Sequence, residues 1–150
     1  MKINIVQDIV YIYQLKRKFE KVPPLLIFDH NFQTFKKNWN SKQKSELIES
    51  ILMGVPLPVI YVKEDNNGGY IIVDGRQRLT AIFEFMNDKF NLMSLKILDS
   101  LNGKFFRDTD LKQQNKIENC SLILHVIKPH KNNNILKNII NRLTKRINND

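Results

Sequence analysis

Two stretches of the chain have apolar residues at the three- and four-residue intervals of a helix with one buried face. In the first stretch the recurring residues are Leu47, Ile48, Ile51 and Leu52. Ser41 precedes them as a candidate N-cap, and Gly54 follows them as a candidate C′ residue. The pattern predicts a helix from Ser41 to about Met53, and the prolines that follow prevent it from continuing.

The second stretch predicts a helix over residues 76–86. Its inward side consists of Leu79, Ile82, Phe83 and Met86. Residues 132–148 have the same spacing, with basic residues between the apolar ones, and a shorter helix is predicted near residues 110–118. The chain is therefore expected to contain several amphipathic helices.

Short runs of β-branched and aromatic residues alternate with these helices. Residues 59–62 and 70–73 flank an Asn-Asn-Gly-Gly turn sequence at 66–69, which is typical of a β-hairpin. Further extended segments are predicted at residues 22–28, 90–92, 104–106 and 122–127. Residues 3–19 mix alternating Ile and Val with helical spacing, and the pattern does not decide between strand and helix.

Together these elements predict an α+β fold, a small mixed sheet flanked by helices. The chain has 150 residues, of which 42% are hydrophobic, enough for one core and too few for two. We therefore expect residues 1–150 to form a single domain. Its one cysteine, Cys120, excludes an internal disulfide and a thiolate metal cluster and favours a reducing compartment.

The composition also bears on localisation and partners. The N-terminus lacks the pattern of a signal peptide, and no apolar run reaches the roughly 20 residues of a membrane span. We expect a cytoplasmic protein with no membrane partner. The formal net charge of +9 makes polyanions candidate partners, although a lysine- and asparagine-rich composition also arises simply from an AT-rich genome.

Most of the candidate chemistry lies where the second hairpin strand meets the next helix. The residues there are Asp74, Gly75, Arg76, Gln77, Arg78 and Thr80. A glycine lets the backbone approach a ligand, and the start of a helix presents unpaired N–H groups and the positive end of its dipole. Phosphate is a natural occupant of such a site, and arginine side chains would bind its oxygens.

The same residues also allow a structural interpretation. Both arginines would then pair with carboxylates such as Asp74 or Glu84 on a solvated surface. Asp74 would either cap the following helix or contact a metal ion or water beside the phosphate. The residues alone leave these alternatives open.

Two motifs make the chain resemble a known family. They are LIESILMGVPLP at residues 47–58 and DGRQRLT at residues 74–80. They are similar to the signature of the N-terminal domain of GmrSD-type restriction proteins, approximately LIESILxGxPIP and DGQQRLT, in the ParB/sulfiredoxin-like superfamily. The similarity covers about residues 25–128, and the basic amphipathic helix at about 132–148 lies beyond it.

This resemblance implies a ParB-like fold and a module that binds a nucleoside triphosphate with Mg²⁺ in defence against foreign DNA. The residues implied in phosphate binding are Gly75, Arg76, Gln77, Arg78 and Thr80. Asp74 and Gln77 become the candidate catalytic residues for triphosphate hydrolysis. The resemblance also implies a separate nuclease subunit with a His-metal centre. The alternative is a non-enzymatic DNA-binding or regulatory protein that uses the same arginines on backbone phosphate.

The sequence departs from the family pattern at two positions. Arg76 stands where glutamine is usual, and Thr34 stands where relatives commonly have arginine. If that glutamine orients an attacking water, the replacement removes hydrolysis and leaves binding intact. Binding is therefore the firmer expectation of the two.

Other candidate contacts to nucleic acid lie outside the turn. They are the basic residues Lys36, Lys37, Arg142, Lys145 and Arg146. Trp39, with Phe32 and Phe35, would either stack on a base or pack in the core. The C-terminal helix would either follow phosphates or close the domain as a solvated amphipathic helix.

Overall fold

A five-stranded mixed sheet organises the fold in the computed structural model, which describes residues 3–28 and 38–148. The strands are β1 (Ile5–Tyr11), β2 (Leu26–Ile27), β3 (Ile60–Glu64), β4 (Tyr70–Asp74) and β5 (Ser121–Ile127). The helices are α1 (Ile12–Glu20), α2 (Ser41–Leu52), α3 (Arg76–Met86), α4 (Leu111–Glu118) and α5 (Asn133–Asn148). The predicted α+β class with a mixed sheet is confirmed, and the ParB-like assignment stays a prediction.

The strand order is β1-β5-β3-β4-β2. Strand β3 pairs antiparallel with β4 and parallel with β5. Strand β1 is antiparallel to β5, and the short β2 is parallel to β4. The hairpin therefore occupies the inner part of the sheet, and β1 lies at one edge.

The first twenty residues contain both of the patterns that the sequence mixes. Strand β1 is followed directly by α1, which buries Ile12 and Leu15. The alternating and the helical periodicity thus belong to successive elements rather than to one element. This explains why neither pattern dominates over residues 3–19.

Buried apolar residues form two clusters, one on each face of the sheet. In β4, Ile72 belongs to the larger cluster with α2 and α3, whereas its neighbour Val73 belongs to the smaller one. Neighbouring strand residues point to opposite faces, so the two clusters are separate. The smaller cluster contains Leu136 and Ile140, by which α5 packs on the second face. In the described ranges no helix is long and apolar enough to cross a membrane.

The helix α2 begins at Ser41 as predicted, but the predicted N-cap is wrong by one residue. Its N-cap is Asn40, whose side chain accepts a hydrogen bond from the amide of Gln43 at 2.9 Å, while Gln43 Oε1 accepts from the amide of Asn40 at 2.9 Å. Asn and Ser are both good caps, and the sequence does not show whose side chain reaches the free amide. The predicted C′ residue is confirmed, since Gly54 has a φ of 77°.

The hairpin prediction is confirmed by the antiparallel pairing of β3 and β4. In its turn, the Asp65 carboxylate accepts hydrogen bonds from the amides of Asn67 at 2.8 Å and Gly69 at 2.9 Å. At the other end of the hairpin the register shifts between Tyr61 and Val62. The irregular end is the one that faces α3.

The extended segments predicted at residues 90–92 and 104–106 are not strands. The amide of Leu92 donates to the carbonyl of Lys104 at 2.9 Å, and the amide of Gly103 donates to the carbonyl of Leu92 at 2.6 Å. Residues 106–108 form a turn of 3-10 helix. Two hydrogen bonds hold the segments together without a ladder.

Two buried polar residues of α2 hold the loop between α3 and α4. The Glu49 carboxylate, 8% exposed, accepts hydrogen bonds from the amides of Ile97 at 3.2 Å and Leu98 at 2.9 Å. One turn earlier, Ser45 Oγ accepts from the amide of Met93 at 3.1 Å. Glu49 of the first motif and Ser45 just before it therefore have a structural use, because they satisfy backbone donors that no strand satisfies.

Strand β1 exposes one backbone edge. The amide of Lys128 donates to the carbonyl of Asn4 at 2.9 Å. In this antiparallel register the backbone N–H and C=O groups of the even-numbered residues of β1 point toward β5, and those of the odd-numbered residues point away from the sheet. Two outward amides have side-chain acceptors: Ile9 N donates to Asp8 Oδ1 at 2.9 Å and Tyr11 N donates to Gln14 Oε1 at 2.9 Å. These side chains occupy donors that another strand would need.

Candidate functional site

The turn between β4 and α3 consists of a single residue, Gly75. Its φ is 109°, in the left-handed region, and it is the N-cap of α3. A Cβ atom at this position would lie 3.0 Å from Cγ1 and 3.1 Å from Cγ2 of Ile60, which is 1% exposed. Backbone conformation and close packing on β3 together account for the glycine, without the approach of a ligand.

The start of α3 is positively charged and lacks a capping side chain. The first intrahelical hydrogen bond runs from the amide of Leu79 to the carbonyl of Gly75 at 3.0 Å. The amides of residues 76–78 therefore have no acceptor within the helix. The first turn contains no acidic residue, and it carries Arg76 and Arg78. An anion at this end would meet unpaired donors and a favourable dipole.

Arg78 points back to the hairpin. Its Nη1 donates to the carbonyl of Pro58, and its Nη2 donates to the carbonyl of Val59 at 3.3 Å and to Asp74 Oδ2 at 3.2 Å. Burial lowers the pKa of the Arg78 guanidinium, and the nearby Asp74 carboxylate opposes that shift. The pairing with a carboxylate that the structural interpretation expects is therefore present for this arginine, although the pair is largely buried and not on a solvated surface. Asp74 pairs with it and does not cap α3.

Gln77 uses both ends of its side-chain amide. Oε1 accepts a hydrogen bond from the amide of Trp39 at 3.2 Å, and Nε2 donates to Asn38 Oδ1 at 3.1 Å. The side chain thus fixes the residues that lead into α2. The two candidate catalytic residues, Asp74 and Gln77, are both bound to protein groups in this arrangement.

Arg76 has different surroundings. Its Cζ lies 5.9 Å from the centroid of the Phe28 ring. Within residues 3–28 and 38–146, Arg76 forms no ion pair, and Glu84 pairs instead with Lys44 at 2.7 Å. The expected pairing of an arginine with Glu84 is therefore wrong. Thr80, on the second turn of α3, is half-buried.

The other basic candidate contacts lie on α5 or outside the described residues. Arg142, Lys145 and Arg146 are exposed on α5. That helix packs on Val73, one residue before Asp74. The candidates Phe32, Phe35, Lys36 and Lys37 lie outside the described residues, as does Thr34. Trp39 is half-buried and packs against the core, which supports the structural interpretation of this residue.

Away from the turn, a groove of about 550 Å³ lies between the C-terminal ends of α2 and α4. Met53 and Val55 line it on one side and Cys120 on the other. Burial raises the pKa of the Cys120 thiol, so that the thiolate forms less readily than in an exposed cysteine. Within the described part of the chain no three His, Cys, Asp or Glu side chains are placed to hold a metal ion.

Sequence reasoning missed the acceptors of Arg78 and the contact of Gly75 with Ile60. Both connect the end of the first motif, or the residues directly after it, to the second motif. The sequence did contain one indication of these contacts, because the first motif ends just before the hairpin and the second begins at the end of its second strand. A hairpin brings the residues before its first strand close to those after its second strand.

One of three comparisons with known proteins agrees with the two motifs. A family model described as "GmrSD restriction endonuclease, N-terminal domain" matches residues 35–149. The match includes both motifs, the turn at Gly75 and α5. Neither the comparison with curated proteins nor the comparison with solved structures finds a match.

Proposed function

The chain belongs to the family of GmrSD restriction endonuclease N-terminal domains, and on that premise we propose that it binds nucleotide phosphate in a restriction system. Family membership itself indicates the role in restriction. The proposal adds the ligand, a nucleoside triphosphate with Mg²⁺, and its place, the turn at residues 74–80. The single observation that supports it best is the uncompensated positive start of α3.

Three groups at that start suit a phosphate. The amides of residues 76–78 are free of helix acceptors, Arg76 has no ion pair within the described ranges, and the helix dipole adds positive charge. Mg²⁺ would reach the site with the nucleotide, since it is commonly held by phosphate oxygens and water with few protein ligands. Binding without rapid hydrolysis is the form of the proposal that fits the occupied side chains of Asp74 and Gln77.

Isothermal titration calorimetry tests this binding directly. Each of the four ribonucleoside triphosphates is titrated into the protein with Mg²⁺. We expect saturable binding of at least one of them, weakened by roughly tenfold in Arg76→Ala, because a hydrogen bond to a charged group contributes about 1.5 kcal/mol or more.

The matched control is Arg17→Ala. It removes the same charge from an exposed position on α1 and should leave the affinity unchanged. Absence of heat for every nucleotide up to millimolar concentration would contradict the proposal. So would an equal loss of affinity in the two variants, because the effect would then come from net charge.

The second candidate function is binding of DNA backbone phosphate. The observation in its favour is the exposed group Arg142, Lys145 and Arg146 on α5. Filter binding of duplex DNA at several salt concentrations should then show affinity that falls steeply with salt. Replacing the three residues by alanine should reduce that dependence, and a flat salt response of the wild type would exclude this function.

DNA cleavage in such a system needs a nuclease centre. We propose that a separate subunit with a His-metal centre supplies it, as the family's restriction role suggests. Co-purification of the chain with the product of a neighbouring gene that encodes such a centre would support this partner. Complete independence of the two proteins, with and without nucleotide, would argue against it.

A further inference from the structure

The two arginines of the turn have different surroundings, and this difference assigns them different roles. We propose that Arg78 is a positioning residue which fixes the turn, and that Arg76 is the arginine which contacts phosphate. This inference rests on the proposed nucleotide-binding function and refines it at the level of single side chains.

The donors of Arg78 are already directed at the protein. Its terminal nitrogens donate to the carbonyls of Pro58 and Val59 and to the carboxylate of Asp74. The side chain is 13% exposed and that of Asp74 is 16% exposed. A phosphate bound to Arg78 would have to displace these acceptors or use the small part of the guanidinium that still faces solvent.

Electrostatics point the same way. The carboxylate of Asp74 neutralises Arg78 at 3.2 Å and would repel a phosphate brought to the same guanidinium. Displacing the carboxylate also costs free energy. A largely buried carboxylate has already given up most of its hydration, and without Arg78 it would lack the partner that compensates for this loss. The net positive charge of the turn therefore comes from Arg76 and the helix amides.

The acceptors of Arg78 show what it positions. Pro58 and Val59 directly precede β3, and Asp74 is the last residue of β4, so one guanidinium joins both strands of the hairpin to α3. The hairpin register is irregular at this end, between Tyr61 and Val62. Arg78 supplies donors to the two carbonyls just before the first residue of β3, and it holds that end of the hairpin against the turn.

Arg76 is directed elsewhere. Residues two positions apart on a helix lie about 200° apart around its axis, so Arg76 and Arg78 do not meet at one point. Arg76 lies over the ring of Phe28 at 5.9 Å and has no ion pair within residues 3–28 and 38–146. Contact with an aromatic face leaves the in-plane donors of a guanidinium open to phosphate oxygens.

The salt dependence of binding separates a contacting charge from a positioning one. With Mg–ATP as the probe, the logarithm of affinity is measured against the logarithm of salt concentration. Because salt screens the attraction between exposed charges, loss of a charge that contacts the phosphate lowers the slope. We expect Arg76→Ala to weaken binding roughly tenfold and to lower the slope. Arg76→Lys, which keeps the charge, should retain the slope.

For Arg78 the matched change is the double variant Asp74→Asn with Arg78→Met. It removes the ion pair without altering net charge, so that only local effects remain. We expect a lower Tm and weaker binding with an unchanged salt slope, because no contact to the phosphate is lost.

A measurement on the wild-type chain covers the case in which the double variant does not fold. In ¹⁵N NMR spectra of the arginine side chains, addition of Mg–ATP should shift the Nε–H resonance of Arg76 and leave that of Arg78 in place. A shift of both resonances, or a lower salt slope in the double variant, would make Arg78 a direct ligand and overturn its positioning role.

An unchanged slope in Arg76→Ala would equally overturn the assignment of Arg76. In each of these cases the wild type still binds Mg–ATP, and the proposed function stands. If the wild type does not bind Mg–ATP, another of the four nucleotides that does bind replaces it as the probe. If none of the four binds, it is the proposed function that fails.

Discussion

At the scale of single residues, position 75 has to meet two demands together. The backbone has a φ of 109°, and the space where a Cβ would lie is occupied by Ile60 at 3.0 Å. Two other glycines meet only the first of these demands, the left-handed backbone. Gly54 and Gly68 have a φ of 77° with no described atom within 4 Å of a built Cβ.

Gly75→Ala should therefore destabilise the protein more than Gly68→Ala. A left-handed conformation costs an L-residue about 1–2 kcal/mol, and both variants have that cost. Overpacking against Ile60 adds about 1–3 kcal/mol in Gly75→Ala alone. Urea denaturation followed by circular dichroism measures the difference, and equal losses would show that β3 moves to accept the methyl group.

The local structure around the candidate site could be predicted, but the contacts of its side chains could not. Strand, glycine and helix are local patterns, and they correctly located the turn at Asp74–Arg78. The sequence does not show which arginine is hydrogen-bonded to the protein itself. Arg78 is the one, and its acceptors include the carbonyls of Pro58 and Val59, which are twenty and nineteen residues before it in sequence. Spacing along the chain does not reveal such a contact, because it depends on how β3 lies against α3.

At the scale of elements, α2 tests the distinction between two neighbouring candidate caps. Asn40→Ala should destabilise the protein by about 1 kcal/mol, since it removes the acceptor for the amide of Gln43. Ser41→Ala should change the free energy of unfolding by less than about 0.5 kcal/mol, as for most exposed positions. Thermal denaturation of both variants checks this, and the opposite order would restore Ser41 as the cap.

The buried carboxylate of the same helix gives a second prediction. Glu49→Ala leaves the amides of Ile97 and Leu98 without their acceptor, and a buried donor without a partner costs about 1–3 kcal/mol. We expect a loss of roughly 2 kcal/mol or more in the free energy of unfolding. Glu49→Gln, which retains one oxygen acceptor, should fall between the alanine variant and the wild type.

Glu46→Ala is the control for that change. It removes the same charge from the same helix at an exposed position, and we expect less than about 0.5 kcal/mol. Similar losses in both variants would mean that the charge of α2 matters and that the hydrogen bonds of Glu49 do not.

Elements with a regular period were predictable, and the loop between α3 and α4 was not. In α3 the period located Leu79 and Ile82 correctly but overlooked Phe85, which is fully buried against Phe90 and Phe106 at centroid distances of 5.5 and 5.8 Å. Those partners belong to the irregular loop. A helix that packs on a loop as well as on a sheet buries a wider face than the pattern suggests.

At the scale of the whole molecule, the edge of the sheet at β1 limits association. Ile9 is 62% exposed, and its outward amide is occupied by Asp8. Asp8→Ala would free that donor on an apolar edge and should increase self-association. Light scattering over a range of protein concentrations measures it. Asp99→Ala, an exposed change of the same charge, is the control, and equal masses for both variants would contradict this interpretation.

The hydrogen bond between Gln77 and the amide of Trp39 has a consequence for spectroscopy. Trp39 is the single tryptophan of the chain, so its indole is the only one that contributes to emission. It is half-buried and anchored to a residue that lies between the two arginines of the turn. The tryptophan fluorescence of the unlabelled protein, excited selectively over that of the tyrosines, therefore reports on this one junction, and its wavelength and quenching will follow events there without any added dye.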